Sequence, residues 1–288
     1  MREDASPGEP DTGDDARPRA GHDDDVGHGD ALGPLAALLE NPAASAVLSD
    51  FDGTLAPIVA DPAEAYPLPE APSVLGALAQ RFALVAVVSG RPVSFLAQRL
   101  ASAGPALRLF GAYGLEWMED GAVHRAPIVE PWRGAVAQVV EAARSAFGGE
   151  AVGIEDKEIS VTVHWRQAPE AGERAWDFAR DWSRRTGLML QPGRMAVEFR
   201  PPVGIDKGSV VEQLARGSAA ACFAGDDSGD LAAFAALDRL ASDGTRTVRI
   251  AVTDEETPRE LVAAADVVVR GPGEALDLFR ALAARARG

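Results

Sequence analysis

The 288-residue chain contains little cysteine, few basic side chains and no long apolar run. Its one cysteine, Cys222, cannot form an internal disulfide, which predicts a reducing compartment. The 28 Lys and Arg residues are outnumbered by 44 Asp and Glu residues, and the resulting net charge of -16 disfavours anionic partners. No apolar stretch is long enough to span a bilayer. These absences predict a cytoplasmic protein with no nucleic acid and no membrane among its partners.

Residues 1–30 differ in composition from the rest of the chain. They are rich in Asp, Gly and Pro and have almost no large apolar side chains. Such a segment cannot bury enough surface to offset its chain entropy, so we predict a disordered acidic tail. The alternative is a metal site formed by His22, Asp23–Asp25 and His28, which would need a rigid scaffold. The polar, acidic start also differs from a signal peptide.

Over the whole chain, 47% of the residues are apolar, which is enough for a substantial core. Residues 31–111 alternate helical patterns with apolar runs such as SAVL and ALVAVV, and residues 203–288 return to this pattern with AACFAG and TVRIAV. Continuous apolar runs are typical of strands that are covered on both faces, as in a parallel sheet. We therefore predict an α/β fold whose doubly wound parallel-sheet core is split between these two segments.

Residues 112–202 follow a different pattern. In KEISVTVHWR, apolar side chains alternate with Ser160, Thr162 and His164, which predicts a half-exposed antiparallel strand. A second alternating strand follows the QPGR turn, and two helical patterns accompany these strands. The segment is therefore predicted to be a small α+β domain inserted into the core.

The first cluster with possible chemistry is Asp50-Phe51-Asp52-Gly53-Thr54, which follows the strand SAVL. Ligands bind at the carboxyl ends of strands in open α/β sheets. One carboxylate of this pair can act as a nucleophile while the other transfers protons. The alternative is an acidic turn that caps the next helix.

Three further motifs occupy comparable positions. The loop Asp226–Asp230 follows AACFAG, and its carboxylates suit Mg²⁺, although Asp227 or Ser228 can instead cap the next helix. Ser89-Gly90-Arg91 ends another strand and suits a phosphate at a helix start, or a simple capped turn. Lys207 precedes a helix and can contact phosphate as a point charge, or remain a surface lysine.

In this order, DFDGT, SGR, DKG and GDDSGD resemble the motifs of the haloacid dehalogenase-like (HAD) phosphatase superfamily, which has a Rossmann-like core. The longer stretches LSDFDGTLAPIV, GIEDKEISVTVHWR, AVEFRPPVGIDKG and AGDDSGDLAAF resemble the trehalose-6-phosphate phosphatase family. This resemblance implies a cap domain over residues 112–202. It also implies Mg²⁺-dependent hydrolysis of trehalose 6-phosphate through a phospho-aspartate, in trehalose biosynthesis. A small sugar phosphate would be the substrate, with a functional link to trehalose-6-phosphate synthase.

The resemblance implies a role for each matching residue. Asp50 would be the nucleophile and Asp52 the general acid and base. The residues that would hold Mg²⁺, or lie next to it, are Asp50, Asp52, Asp226, Asp227 and Asp230. The residues that would contact the phosphate are Thr54, Ser89 and Lys207. The residues that would contact the sugar or line the entrance are Arg91, Glu155, Lys157, His164 and Glu198.

Two positions depart from the family pattern. Tyr113 lies where members often have histidine in Gly-x-His-Gly, and Leu231 follows Asp230 where many have glutamate. A second hypothesis keeps the mechanism and changes the substrate to a sucrose-, mannosyl- or glucosyl-glycerate-type phosphate. A third hypothesis is a phosphomutase. A non-catalytic sugar-phosphate sensor would be expected to lack Asp50 or Asp52, and both are present. The cap residues Glu155, Lys157 and Glu198 can also be ordinary surface charges.

Overall fold

A computed structural model describes residues 32–59 and 61–286, so the tail predicted over residues 1–30 lies outside the described residues. The strands of the described part are β1 (Ser45–Ser49), β2 (Leu84–Val88), β3 (Arg108–Gly111), β4 (Glu116–Glu119), β5 (Ala122–Arg125), β6 (Gly153–Asp156), β7 (Val161–His164), β8 (Met189–Gly193), β9 (Ala196–Arg200), β10 (Ala220–Gly225), β11 (Arg246–Thr253) and β12 (Val267–Arg270). The helices there are α1 (Ala36–Glu40), α2 (Ala71–Ala79), α3 (Val93–Arg99), α4 (Arg133–Phe147), α5 (Gly172–Thr186), α6 (Lys207–Ala215), α7 (Leu231–Ser242), α8 (Arg259–Ala264) and α9 (Gly271–Arg285).

The larger sheet of the described residues has eight strands in the order β12-β11-β10-β1-β2-β3-β4-β5. Pairing is parallel from β12 to β3 and antiparallel for β4 and β5. Every residue of β1 and β10 is buried, because helices cover both faces of the sheet. The predicted α/β class with a doubly wound parallel sheet is confirmed.

Adjacent residues of the central strands belong to different apolar clusters. Val47 and Cys222 pack with α1, α2, α3 and α9 on one face, while Leu48 and Phe223 pack with α6, α7 and α8 on the other. This arrangement follows from the two-residue period of a strand, which sends successive side chains to opposite faces. Because both faces of these strands are buried, their sequences are continuous apolar runs without alternating polar residues. We refer to this sheet and its helices as the core.

The smaller sheet is antiparallel, with the order β6-β7-β9-β8, and α4 and α5 pack on one of its faces. We refer to this sheet and these two helices as the cap. Its other face carries Thr162 and Glu198, which are only 5% and 4% exposed. The sequence predicts that this polar face is exposed, and that prediction is wrong because the face covers one edge of the large sheet.

The hairpin of β4 and β5 belongs to the large sheet, although the sequence assigns residues 112–202 to the cap. Asp120 and Gly121 at its turn have φ angles of 50° and 75°, as a tight two-residue hairpin requires. The hairpin pairs with the edge of β3 and extends the core. The chain therefore passes from the core to the cap between Arg125 and Arg133. The domain bounds given by the sequence stay a prediction.

The chain returns from the cap to the core through residues 201–206, a short connector between β9 and α6. It contains Pro201, Pro202 and Gly204.

Within the two described ranges, no helix has both the length and the apolarity to cross a bilayer.

Candidate active site

Three loops meet at one edge of the large sheet. β1 ends before Asp50, β2 before Ser89 and β10 before Asp226, and these strands are parallel neighbours. The carboxyl ends of parallel strands lie on the same edge, so their loops open on a shared cleft. The polar face of the cap sheet covers this edge and leaves a cavity of about 190 Å³. The predicted site residues that line it are Asp50, Asp52, Ser89, Arg91, Glu155, Lys157, His164, Glu198, Lys207, Asp226 and Asp227.

A buried lysine joins two aspartates at the base of the cleft. Lys207 Nζ lies 2.9 Å from Asp50 Oδ1 and 2.7 Å from Asp230 Oδ1, and all three residues are at most 4% exposed. Burial raises the pKa of Asp50 well above its ordinary value, and the Lys207 charge opposes this effect. Burial lowers the pKa of Lys207, but the neighbouring aspartates outweigh it and raise that pKa. Lys207 is therefore a charged group directed at the predicted nucleophile.

The carboxylates of Asp50, Asp226 and Asp230 lie close enough to share a cation. One oxygen of each lies within 4.8 Å of the others. Burial, followed by the charge of Asp50, raises the pKa of Asp226 well above its ordinary value. A divalent cation relieves such crowding of like charges, and oxygen ligands suit Mg²⁺. Gly53 makes this geometry possible, because a Cβ at its φ of +73° would lie 2.0 Å from Asp226 Oδ2.

The third aspartate of this group already has hydrogen-bond donors on both oxygens. Asp230 Oδ1 accepts from Lys207, while Oδ2 accepts from the backbone N–H groups of Asp226 at 2.9 Å and Asp227 at 3.2 Å. Asp230 does not line the cavity. Asp227 Oδ1 accepts from the backbone N–H of Gly229 at 2.8 Å and thereby caps the following turn. Asp50 and Asp226 are therefore the carboxylates best placed to hold a metal.

Asp52, the predicted acid and base, is held by an arginine. Arg91 donates from Nε to Asp52 Oδ2 at 2.8 Å and from Nη2 to Oδ1 at 2.7 Å. The same guanidinium donates to the Pro62 carbonyl at 2.8 Å. Burial lowers the pKa of Arg91, but the hydrogen bond and charge of Asp52 raise it overall. Arg91 therefore orients Asp52 as well as lining the cleft.

Two hydroxyl groups were predicted at the phosphate. Ser89 lines the cavity, and its Oγ accepts the backbone N–H of Arg91 at 3.2 Å. Thr54 is fully buried and does not line the cavity. Its hydroxyl has no hydrogen-bond partner among the described residues.

The predicted sugar-binding residues form a linked network on the cap. Glu198 Oε1 accepts from Lys157 at 3.1 Å and Ser160 at 2.7 Å. Lys157 is 8% exposed and Glu198 4%, so neither is a surface charge. Glu155 lies 3.1 Å from His164 Nε2. Burial raises the pKa of Glu155, but the charge of Lys157 and the His164 hydrogen bond outweigh this effect and lower the pKa to about 2.

The sequence does not identify two arginines of the cap that line the same cavity, Arg166 and Arg194. Arg194 Nη2 lies 3.0 Å from Asp226 Oδ2, and its Nη1 lies 2.6 Å from Asp254 Oδ2 in the core. Arg166 lies 3.7 Å from Glu256 on the same core loop. The available signal for Arg194 was a cation in the QPGR turn between two alternating strands.

The split parallel sheet, the aspartates after β1 and β10, the buried lysine and the antiparallel cap together define a haloacid dehalogenase-like hydrolase fold with a cap. A sequence model of the trehalose-phosphatase family matches residues 48–265, well over half of the chain. The chain therefore belongs to the trehalose-phosphatase family.

Curated relatives agree with this assignment. The chain is 35% identical over 204 residues to a trehalose-phosphate phosphatase of Mycolicibacterium paratuberculosis, covering 67% of this chain and 51% of the relative. It is 34% identical over 210 residues to a protein of the same name from Mycobacterium marinum, with the same coverage of 67% and 51%. The chain thus spans about half the length of the curated relatives it matches.

Solved structures share the fold. The C-terminal domain of Candida albicans trehalose-6-phosphate phosphatase superposes with a TM-score of 0.73 at 21% identity, covering 88% of this chain and 96% of that one. A trehalose-6-phosphate phosphatase related protein gives a TM-score of 0.65 at 26% identity, covering 83% and 97%.

Proposed function

We propose that the protein hydrolyses trehalose 6-phosphate to trehalose and phosphate, with Mg²⁺ as cofactor and a phospho-aspartate intermediate on Asp50. The observation that carries this proposal is the buried Asp50 carboxylate 2.9 Å from Lys207, beneath a cap that presents Glu155, Lys157 and Glu198 to the same cavity. The names of the curated relatives support this substrate.

In the first step, a carboxylate oxygen of Asp50 attacks the phosphorus atom, and the bond from phosphorus to the sugar oxygen breaks. Asp52 donates a proton to that oxygen, and the sugar leaves as an alcohol. In the second step, Asp52 accepts a proton from a water molecule that attacks the phospho-aspartate, which releases phosphate and restores the carboxylate. The bidentate contact with Arg91 fixes the direction from which Asp52 acts.

The phosphate would lie between Lys207 and Ser89, which both line the cavity. Lys207 would neutralise the charge that spreads over the phosphoryl oxygens in the transition state. Mg²⁺ held by Asp50, Asp226 and the Asp52 carbonyl, with Asp227 and Asp230 next to it, would add further positive charge there. Because Asp50, Lys207 and Asp226 are buried and already paired, little reorganisation is needed during the reaction.

The cap would recognise the sugar. Glu155, Lys157, Glu198 and His164 would hydrogen-bond sugar hydroxyls, and Arg91 would lie at the entrance. A different sugar phosphate would change the contacts of these residues and leave the core chemistry intact. We place the reaction in the cytoplasm and link it to trehalose-6-phosphate synthase, which would supply the substrate. The family supports the link to the synthase, and the single cysteine, which favours a reducing environment, supports the cytoplasm.

The test is phosphate release from trehalose 6-phosphate, glucose 6-phosphate and sucrose 6-phosphate in the presence of Mg²⁺. Strong preference for trehalose 6-phosphate supports both the mechanism and the substrate. Preference for another ester would retain the mechanism and overturn the substrate. Release from none of them would favour a sugar-phosphate sensor.

A further inference from the structure

Tyr113 connects the Ser89-Gly90-Arg91 turn of the core with a carboxylate of the cap. Its Oη donates to Glu198 Oε2 at 2.7 Å, across 85 residues of sequence. Its backbone N–H donates to the Ser89 carbonyl at 2.8 Å. The side chain that departs from the family pattern therefore lies between the two groups that are proposed to hold the ends of the substrate.

The position of the Tyr113 ring is fixed by its surroundings. A Cβ at Gly90 would lie 2.7 Å from Tyr113 Cζ, so the ring packs directly on the glycine of the Ser89-Gly90-Arg91 turn. The guanidinium of Arg200, at the end of β9, lies 3.7 Å from the centre of the Tyr113 ring. Ala112 and Tyr113 both have positive φ angles, 47° and 60°, a conformation that non-glycine residues adopt rarely. The backbone is thus held in an unfavourable conformation that directs this side chain at the cap.

The two oxygens of Glu198 have partners of different origin. Oε1 accepts from Lys157 and Ser160, which belong to the cap, whereas Oε2 accepts from Tyr113 of the core. Among the described residues, Tyr113 gives Glu198 its side-chain hydrogen bond from the core. Burial, followed by the charge of Glu198, raises the pKa of Tyr113 well above its ordinary value, so the hydroxyl remains a donor.

We propose that Tyr113 is a positioning residue that sets the orientation of the Glu198 carboxylate relative to the phosphate site, and that it thereby contributes to sugar selectivity. This inference rests on the proposed function, in which Glu198 contacts the sugar. A hydrogen bond from a fixed core residue determines where the remaining acceptor sites of the carboxylate point. A core residue thereby takes part in sugar recognition through a carboxylate of the cap.

The test compares Tyr113→Phe, which keeps the ring and removes the hydroxyl, with Tyr66→Phe. Tyr66 is the chain's other tyrosine, and it is 57% exposed. We measure kcat and KM for trehalose 6-phosphate and for p-nitrophenyl phosphate, a small ester without a sugar. For Tyr113→Phe we expect kcat/KM to fall about tenfold more for trehalose 6-phosphate than for the aryl ester, mainly through KM, as for loss of a hydrogen bond to a charged group. Equal falls for both esters, or an unchanged KM for the sugar ester, would overturn the proposal.

A double-mutant cycle with Glu198→Met, which removes both oxygens that could accept from Tyr113, separates positioning from packing. If Tyr113 acts through Glu198, adding Tyr113→Phe to Glu198→Met lowers kcat/KM by less than about twofold. Additive losses would show that Tyr113 acts independently and would contradict the proposal. Thermal unfolding of each variant serves as the control for stability, which a packing role would change without changing the ratio between the two esters.

Failure of the proposed function gives a different result from failure of this inference. If the wild-type protein prefers another sugar phosphate, the substrate assignment fails, and the same ratio is measured with the preferred ester. If the wild-type protein hydrolyses none, calorimetry compares trehalose 6-phosphate binding to wild type and Tyr113→Phe. Binding about tenfold weaker in the variant supports the inference, and equal binding, or no binding to either protein, overturns it.

Discussion

The core and cap sides of the cleft hold their charged groups in different ways. Asp50, Lys207 and Asp230 lie at or near the ends of buried elements and find their partners within the core. The cap network is completed from outside, since Glu198 accepts from Tyr113 and Arg194 pairs with Asp226 and Asp254. Asp50, Lys207 and Asp230 are therefore positioned by one another within the core, whereas Glu198 and Arg194 of the cap each take a partner from the core. Changes on the core side should abolish the reaction, and changes on the cap side should alter substrate choice.

The largest effect is expected from Asp50→Asn. The amide cannot form the phospho-aspartate, so phosphate release should fall at least about 10⁴-fold. The fold should persist, because Lys207 keeps Asp230 as a partner. Asp243→Asn, at an exposed position after α7, is the matched control. Wild-type-like turnover in a purified, folded variant would show that Asp50 is not the nucleophile.

Removal of metal should have a similarly large effect. Chelation with EDTA should lower activity by at least about 100-fold, and Mg²⁺ should restore it. Mg²⁺ should also raise the unfolding temperature of the wild-type protein, because binding to the native state stabilises it. The increase should be smaller for Asp226→Asn, which loses one of the two best-placed carboxylates. Full activity after exhaustive metal removal would contradict a metal role.

On the cap side, Lys157→Met should raise KM for trehalose 6-phosphate by about 10-fold to 100-fold. The reason is that it leaves the buried Glu198 without its charged partner. Hydrolysis of p-nitrophenyl phosphate should fall much less, since this ester has no sugar to contact the cap. Glu141→Gln, on the exposed face of α4, is the control. An equal loss with both esters would remove the distinction between core and cap.

A smaller effect is expected from Asp254→Asn. Asparagine keeps an oxygen for the Glu256 and Thr257 donors of the local turn but loses the charge that pairs with Arg194. Asp254 is 42% exposed, and exposed ion pairs contribute little, so KM should rise only about twofold to fivefold. The difference from wild type should disappear at high ionic strength, where salt screens the pair. A difference that persists in high salt would show that loss of the Asp254–Arg194 ion pair is not its cause.

The smallest effect is expected from deletion of residues 1–30, the segment predicted as an acidic tail. It has almost no large apolar side chains that could pack on the cleft. We expect kcat and KM to remain within about twofold of the full chain. A large loss of activity would show that the segment takes part in function.

The chemistry at the edge of the large sheet could be predicted from sequence because it follows local rules. Apolar runs predicted β1, β2 and β10, and the polar residues that end them must share an edge in a parallel sheet. The grouping of Asp50, Ser89 and Asp226 follows from that geometry. Lys207 joins them because α6 begins where the chain re-enters the core.

The features that were not predicted depend on contacts between distant segments. The polar face of β7 was expected to be exposed, because alternation alone does not tell solvent from another polar surface. The contacts of Lys207 and two backbone N–H donors with the oxygens of Asp230 were likewise not predicted, and its place in or next to the metal shell stays a prediction. The reach of Arg194 to Asp226 and of Tyr113 to Glu198 exists only when cap and core meet. Pair contacts of this kind have no signature in one sequence.

The connector of residues 201–206 also constrains how the two sides can move. It follows β9, which carries Glu198, and ends at Lys207, so a few residues join the proposed sugar contact to the proposed phosphate contact. Pro201 and Pro202 restrict φ on this path, and Gly204 is its freest residue. The elements that carry the proposed sugar and phosphate contacts are therefore joined by only six residues of chain, and any rotation of the cap against the core has to bend this connector together with the crossing between Arg125 and Arg133.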